Sequence, residues 1–406
     1  MKNNTGKYKW ILVALLFGVA LLNYMDRQMI ATMRPAMQAD IPALQQATNF
    51  GHLMAVFLWV YGSMSFFSGM IADRINRKLL IVASLFIWSA VTFAMGYAHT
   101  FEQLYWLRAF MGFSEALYIP AGLAMIADHH DDKTRSLAVG VHMTGIYLGQ
   151  AFGGFGSVIS NMMSWQNTFI MFGLIGIAYA LVLWLALKDD SQTNIHATRE
   201  KEVRQPIRAS LSLFGNFSFW IIILYFAAPS FPGWAIKNWA PTLVSQNLGI
   251  DMTKAGPLTT ISISISSLMG VLVGGRLSDR WIQKQNRGRI YTGAIGLSLT
   301  IPALFLIGYG HSIVPIMLAA VLFGFGFGMF DTNNMPILCQ FVPERMRATA
   351  YGFLNTAGIF AGAVITDFLG KSTDEGSLGT HFAMLALVVL AVIIIQLRFL
   401  RPQNTN

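Results

Sequence analysis

Long apolar stretches, each about the length that crosses a bilayer, alternate along this chain with short polar joints. A spanning helix needs roughly 20 mostly apolar residues. Stretches that fit run at 10–32, 51–72, 79–98, 104–127, 136–159 and 167–187. After the longest polar stretch, 188–210, six more run at 217–244, 255–277, 290–310, 313–339, 348–369 and 381–399. The pattern predicts an all-α integral membrane protein with twelve transmembrane helices. It also predicts two bundles of six, residues 1–187 and 211–406, joined by a linker at 188–210. The first stretch starts with lysines, as a signal peptide does. It lacks a small-residue cleavage site, however, and Asn23, Asp26 and Arg27 lie within it, so it reads as a retained helix.

Composition agrees. Of 406 residues, 54% are hydrophobic and 12% charged, against about 25% charged in an average soluble domain. That excludes disorder, which needs high charge and low hydrophobicity, and it is too little charge to cover a water-soluble enzyme. The lone Cys339 excludes an internal disulfide framework and a cysteine metal cluster. The net charge of +9 at first admits either a nucleic-acid surface or basic membrane flanks. Position decides: with the N-terminus inside, the inner joints carry most of the 28 Lys and Arg, whereas the outer loops hold only Arg34, Lys254 and Lys371. This is the positive-inside asymmetry, so both termini are expected in the cytoplasm and no nucleic acid is expected.

The chain also repeats itself. Gly69-x-x-x-Asp73-Arg74-x-x-Arg77 follows the second stretch, and Gly275-x-x-x-Asp279-Arg280 follows the eighth, at an offset of 206 residues. Arg135, Ala138, Gly140 and Thr144 recur as Arg347, Ala350, Gly352 and Thr356, at an offset of 212. Repeated halves are typical of transporters, whose substrate site lies between them near the bilayer midplane. Asp and Arg in a short loop can simply be a solvated helix end. Their recurrence at matching places instead suggests an inner-side gate locked by charge-assisted bonds. The paired loop motif resembles the major facilitator superfamily over nearly the whole chain.

Seven ionisable residues fall inside the stretches: Asp26, Arg27, Arg108, Glu115, Lys237, Asp331 and Asp367. Each costs about 2.5–3.5 kcal/mol at a helix centre, which makes it a functional candidate. Arg27 is a fixed fork suited to a carboxylate. Arg108 and Glu115, seven apart, share a helix face, and Glu115 lies near the midplane. Lys237 is open to two readings, snorkelling to the interface or a second anion contact. His142 is likewise a substrate contact or a helix histidine bonded to a neighbour. Asp331 reads as structural, pairing with an inner-side Arg, and Asp367 as wet at the outer interface. Pro229 and Pro232 invite a kink in the seventh helix.

Asn23-Tyr24-x-Asp26-Arg27, with Arg108-x-x-x-Gly112-x-x-Glu115, resembles the anion:cation symporter branch, which includes bacterial hexuronate and aldonate transporters. Trp239-x-Pro241-Thr242 and Gly352-x-x-Asn355 are similar to further motifs of that branch. The resemblance implies proton carriage by Asp26 and Glu115 and a substrate carboxylate on Arg27. It further implies a cavity lined by Tyr24, Tyr61 and Asn355, with Arg108, His142 and Lys237 as further candidate contacts. Ile146 stands where the branch often has Gln. The expected activity is proton-coupled symport of a small organic anion such as a sugar acid, by a monomer in a bacterial inner membrane, driven by the proton gradient without a cofactor or metal. Spinster-like lipid transporters share part of the pattern, so lysolipid or amphiphile transport is the alternative. A membrane enzyme or sensor finds no nucleophile, metal or ATP motif. His129-His130-Asp131-Asp132 reads as a solvated flank.

Overall fold

The computed structural model describes residues 5–131, 134–188, 212–343 and 346–402. All regular structure among them is helical. Twelve helical crossings follow in order: α1 (Thr5–Asp40), α2 (Ala47–Arg74), α3 (Arg77–Met95), α4 (Phe101–Glu115, resuming at Tyr118–His129), α5 (Arg135–Gly153 and Gly156–Met163) and α6 (Trp165–Ala186). The second half holds α7 (Phe217–Ala227 and Ser230–Leu248), α8 (Met252–Ile282), α9 (Gly288–Tyr309), α10 (Ile313–Asp331 and Asn334–Phe341), α11 (Arg347–Asp374) and α12 (Leu378–Phe399). Eleven of these are long and apolar enough by themselves to cross a membrane. The other is α5, which is interrupted at Gly154 and carries His142, Thr144 and Gln150 among its apolar residues; it packs along α1 as a member of the first bundle. The expected linker, apart from Lys188, lies outside the described residues.

Four crossings are broken, three of them by proline. A proline removes one backbone bond, and its ring clashes with the carbonyl four residues back. Pro120 therefore interrupts α4 at Ala116–Leu117, and Pro336 interrupts α10 at Thr332–Asn333. Pro229 and Pro232 do the same at Ala228–Pro229 in α7, where the sequence expects a kink. The α4 and α10 breaks share a local pattern, set one helical turn apart relative to the rest of the repeat. Gly112-x-x-Glu115-x-x-x-x-Pro120 in α4 recurs as Gly328-x-x-Asp331-x-x-x-x-Pro336 in α10, at an offset of 216. Each glycine lets a neighbour close in: a Cβ on Gly112 would stand 2.5 Å from the Phe57 carbonyl oxygen on α2, and one on Gly328 2.2 Å from that of Ser267 on α8.

The repeat extends to the ends nearest the chain termini. Arg77 donates to the carbonyl of residue 124 and Arg289 to that of residue 336. Arg135 donates to the carbonyl of residue 130 and Arg347 to that of residue 342. Both pairs are 212 residues apart. These bonds stay within one half.

Contacts between halves concentrate on the opposite, far side. Gln28 donates to the Lys237 carbonyl at 2.8 Å, Ser157 to that of Met252 at 3.0 Å, and Thr260 to that of Ala151 at 3.1 Å. Arg34 of α1 lies over Trp239 of α7, and His52 Nδ1 of α2 contacts the Asp367 carboxylate of α11. Asp374 caps the start of α2 from the other half, accepting from the amides of Ala47 and Thr48 at 2.7 and 2.8 Å and from the Thr48 hydroxyl at 2.7 Å. A carboxylate there also meets the positive end of the α2 dipole.

The Asp374 clasp is testable. Being exposed, its three bonds together contribute about 1–2 kcal/mol after screening. Asp374→Ala is expected to loosen the far side by about 5–30-fold in population. Spin labels at Gln46 and Glu375 in a Cys339→Ser background should then show a longer, broader distance distribution. An unchanged distribution would exclude the clasp.

Candidate functional site

Arg27 sits about 20 Å from the far end of α1, near mid-depth, at the usual rise per residue. Its Nε donates to Glu115 Oε2 at 2.5 Å, across 88 residues of sequence. Glu115 is completely buried and Arg27 nearly so. Three aromatic rings surround the guanidinium, those of Tyr24 and Phe57 with centroids at 4.9 Å and that of Tyr61 at 4.3 Å. Phe57 and Tyr61 stack on one another at 5.6 Å. Desolvated cation–π contacts contribute about 2 kcal/mol or more, so this cradle offsets part of the cost of burying the charge.

The cradle exists because small residues draw four helices together in two pairs. Gly112 brings α4 onto α2 beside Phe57. Gly145 and Gly149 bring α5 onto α1, where a Cβ would stand 2.7 and 2.4 Å from the carbonyl oxygens of Phe17 and Leu21. Close backbone approach at small residues is the usual means of helix association in lipid.

Arg108 is buried in the same group, with its guanidinium over Phe57 at 4.4 Å and Nη1 3.2 Å from Met111 Sδ. Asp26 is buried within electrostatic reach of Glu115 and Arg108. Protein hydrogen bonding is incomplete at this point. Among the described residues, Asp26 Oδ1, Arg27 Nη2, Arg108 Nε, Glu115 Oε1 and both amide atoms of Asn23 make no hydrogen bond of good geometry. Native structures hold few such groups, and a cluster of them calls for a functional account. Here the account is open bonding capacity around one buried ion pair, able to take an anion on Arg27 and a proton on a carboxylate.

The second half contributes differently from the sequence expectation. Asp331 pairs with no arginine among the described residues. It ends the first part of α10, is solvent-accessible, and accepts from Asn334 Nδ2 at 3.2 Å. Lys237 of α7, Tyr24 of α1, Tyr147 of α5, Tyr225 of α7 and Tyr351 of α11 all lie within its electrostatic reach. These residues come from both halves, so Asp331 belongs to the central region that the halves share. The sequence reading failed here because it placed Asp331 by distance along α10. The Pro336 break decides instead which way the last turn points.

Lys237 does not snorkel. Its Nζ lies over Trp234 at 4.9 Å, and it lines a pocket between the halves with Gln28, Gln150, Thr259 and Ser264. Asn355 is half-buried on α11.

His142 has no accessible surface and lies 2.8 Å from the Tyr118 hydroxyl, which donates to the Leu16 carbonyl. In this structure it is a helix histidine bonded to a neighbour. Trp239 is also fully buried, donating to the Thr366 carbonyl at 3.0 Å, so its motif holds α7 to α11. Asp367 is not simply wet, since His52 contacts it.

In the loop motifs, Arg77 forms an ion pair with Asp128 at the end of α4, a partner that no motif signalled. Gly275, Asp279 and Arg280 close α8, with both charges exposed. The side chains at Gly69, Asp73 and Arg74 lie outside the described residues. Phe57 and Tyr351 were also missed, because no spacing rule separates a site aromatic from a packing one.

Known proteins bear on the assignment. Residues 16–366 match the profile of the Major Facilitator Superfamily. The chain is 25% identical over 414 residues to a D-galactonate transporter of Escherichia coli O6:H1, covering 96% of this chain and 94% of that one. It is 25% identical over 418 residues to a hexuronate transporter of Bacillus subtilis, covering 98% and 96%. A bacterial homologue of the human lysosomal transporter Spinster, in an inward-facing and unoccupied conformation, superimposes with a TM-score of 0.74 at 21% identity, covering 96% and 95% of the two chains. With this match over most of its length and twelve crossings in two repeated bundles, the chain belongs to the Major Facilitator Superfamily.

Proposed function

We propose that this protein is a secondary active transporter that carries a small organic anion, of sugar-acid type, together with protons by alternating access. The single observation that carries the reading is the buried Arg27–Glu115 pair within its aromatic cradle. Arg27 and Arg108 stand among Asp26 and Glu115 in the middle of the protein, two cations against two carboxylates. This set is neutral as it stands. An anion that takes Arg27 away from Glu115 adds a negative charge to a region of low dielectric. Protonation of one carboxylate restores neutrality, which couples anion and proton by charge balance.

Glu115 is the principal proton carrier in this scheme, and Asp26, within reach of it, is the second. Tyr24, Tyr61 and Asn355 border the substrate, and Arg108 biases the carboxylates electrostatically. The halves 1–187 and 211–406 rock about this centre, with the far side closed here and the Gly69–Arg77 and Gly275–Arg280 loops gating the other side. Basic residues flanking the terminal side put both ends in the cytoplasm of a bacterial inner membrane. The proton gradient supplies the drive and no cofactor enters the cycle. The names of the D-galactonate and hexuronate transporters supply the substrate class.

Proteoliposomes holding the purified protein should accumulate D-galactonate or a hexuronate when an inward proton gradient is imposed. Glu115→Gln is expected to reduce gradient-driven accumulation by at least about 100-fold while sparing exchange of substrate across the membrane. Arg27→Ala is expected to abolish both. Accumulation unchanged in both variants would sink the mechanism, and uptake blocked by lysolipids but indifferent to sugar acids would favour amphiphile transport.

The pair also predicts a stability pattern. Removing one partner leaves a buried charge uncompensated, at a cost of about 3–5 kcal/mol. Arg27→Met and Glu115→Met should each lower the melting temperature, and the double variant should recover most of the loss. Additive losses would show that the two groups are not energetically coupled.

A further inference from the structure

We propose that Lys237 and Asp331 form a second polar station, in the C-terminal half, that holds the hydroxyl-bearing end of the substrate whose carboxylate Arg27 takes. This rests on the sugar-acid reading and adds to it where the rest of the molecule is recognised.

Three observations carry the assignment. The first is the repeat. Asp331 has in α10 the local setting that Glu115 has in α4, three residues after a close-contact glycine and five before the proline that breaks the helix, one turn further along than the repeat's offset of 212 would put it. The two halves therefore aim one carboxylate each from the same kind of interrupted turn. The second is the difference between the copies. Glu115 is sealed and held by Arg27, whereas Asp331 is accessible and takes one bond from Asn334. An exposed carboxylate that takes a single bond keeps acceptor capacity for a ligand. The third is Lys237, which lines the pocket between the halves within electrostatic reach of Asp331.

Depth agrees with this division of labour. Counted at the usual rise from the far ends of their helices, Lys237 lies at about 16 Å, Arg27 at about 20 Å and Asp331 at about 27 Å. A donor and an acceptor at different depths on the wall facing Arg27 suit a chain of several hydroxylated carbons, because each hydroxyl can accept from an ammonium and donate to a carboxylate. A second carboxylate on the substrate would meet repulsion from Asp331, so the station selects monoacids with a polyol tail.

The test compares D-galactonate with glycerate, an acid long enough to reach Arg27 and too short to reach the station. In wild-type proteoliposomes D-galactonate should have the lower KM. Asp331→Asn and Lys237→Gln are each expected to raise its KM by about 10–100-fold, the range for loss of charge-assisted hydrogen bonds, with glycerate KM unchanged. Asp331→Glu should restore part of the preference. Melting temperature and glycerate uptake report that each variant is folded. If wild type prefers D-galactonate and Asp331→Asn keeps that preference, or if both substrates lose equally, the station is wrong and the sugar-acid reading stands. If wild type transports neither acid, both fall.

Discussion

Everything at the centre of this protein depends on keeping a guanidinium and a carboxylate in contact where there is no bulk water. Moving either ion alone into such a place costs several kcal/mol even after relaxation. Arg27 and Glu115 tolerate it because they neutralise each other at 2.5 Å and because Tyr24, Phe57 and Tyr61 face the cation with their rings. Much of the local architecture serves that contact. Gly112 admits α2 to α4, and Gly145 and Gly149 admit α5 to α1. Any Cβ at these positions would push apart the helices that hold the pair.

The same constraint accounts for the broken helices. A straight α4 would continue its ladder through residue 117, and Glu115 would be one more side chain on a regular helix. Pro120 stops the ladder just past it, and Pro336 does the same past Asp331. Broken helices at membrane depth are tolerated where they border protein or a cavity. Placing a carboxylate beside each break puts the charged group where the backbone is already polar and the helix most able to flex.

The two halves use this plan unequally. The first locks its acid to an arginine and seals it, and the second leaves its acid exposed. The far-side contacts, among them the Asp374 cap and the His52–Asp367 contact, bring the halves together so that both acids share one central region. The asymmetry leaves one acid with an internal partner and the other exposed with a single bond from Asn334.

Apolar run length marks the crossings, since a bilayer imposes a minimum span. Lys and Arg placement indicates orientation, and the paired loop motifs reveal the duplication. Local motifs also found Arg27, Arg108, Glu115 and Lys237, because a charge inside an apolar run is visible without any structure. Direction and partnership were not visible in this way. The partner of Arg27 stands 88 residues away. His142 and Trp239 turned inward to Tyr118 and Thr366, and Asp331 takes its bond from Asn334, not from an arginine among the described residues. The physical reason is that hydrophobicity is a local property, summed along the chain, whereas ion pairing depends on distances between helices. Those distances are set by glycine contacts and proline breaks that act only once the bundle has packed.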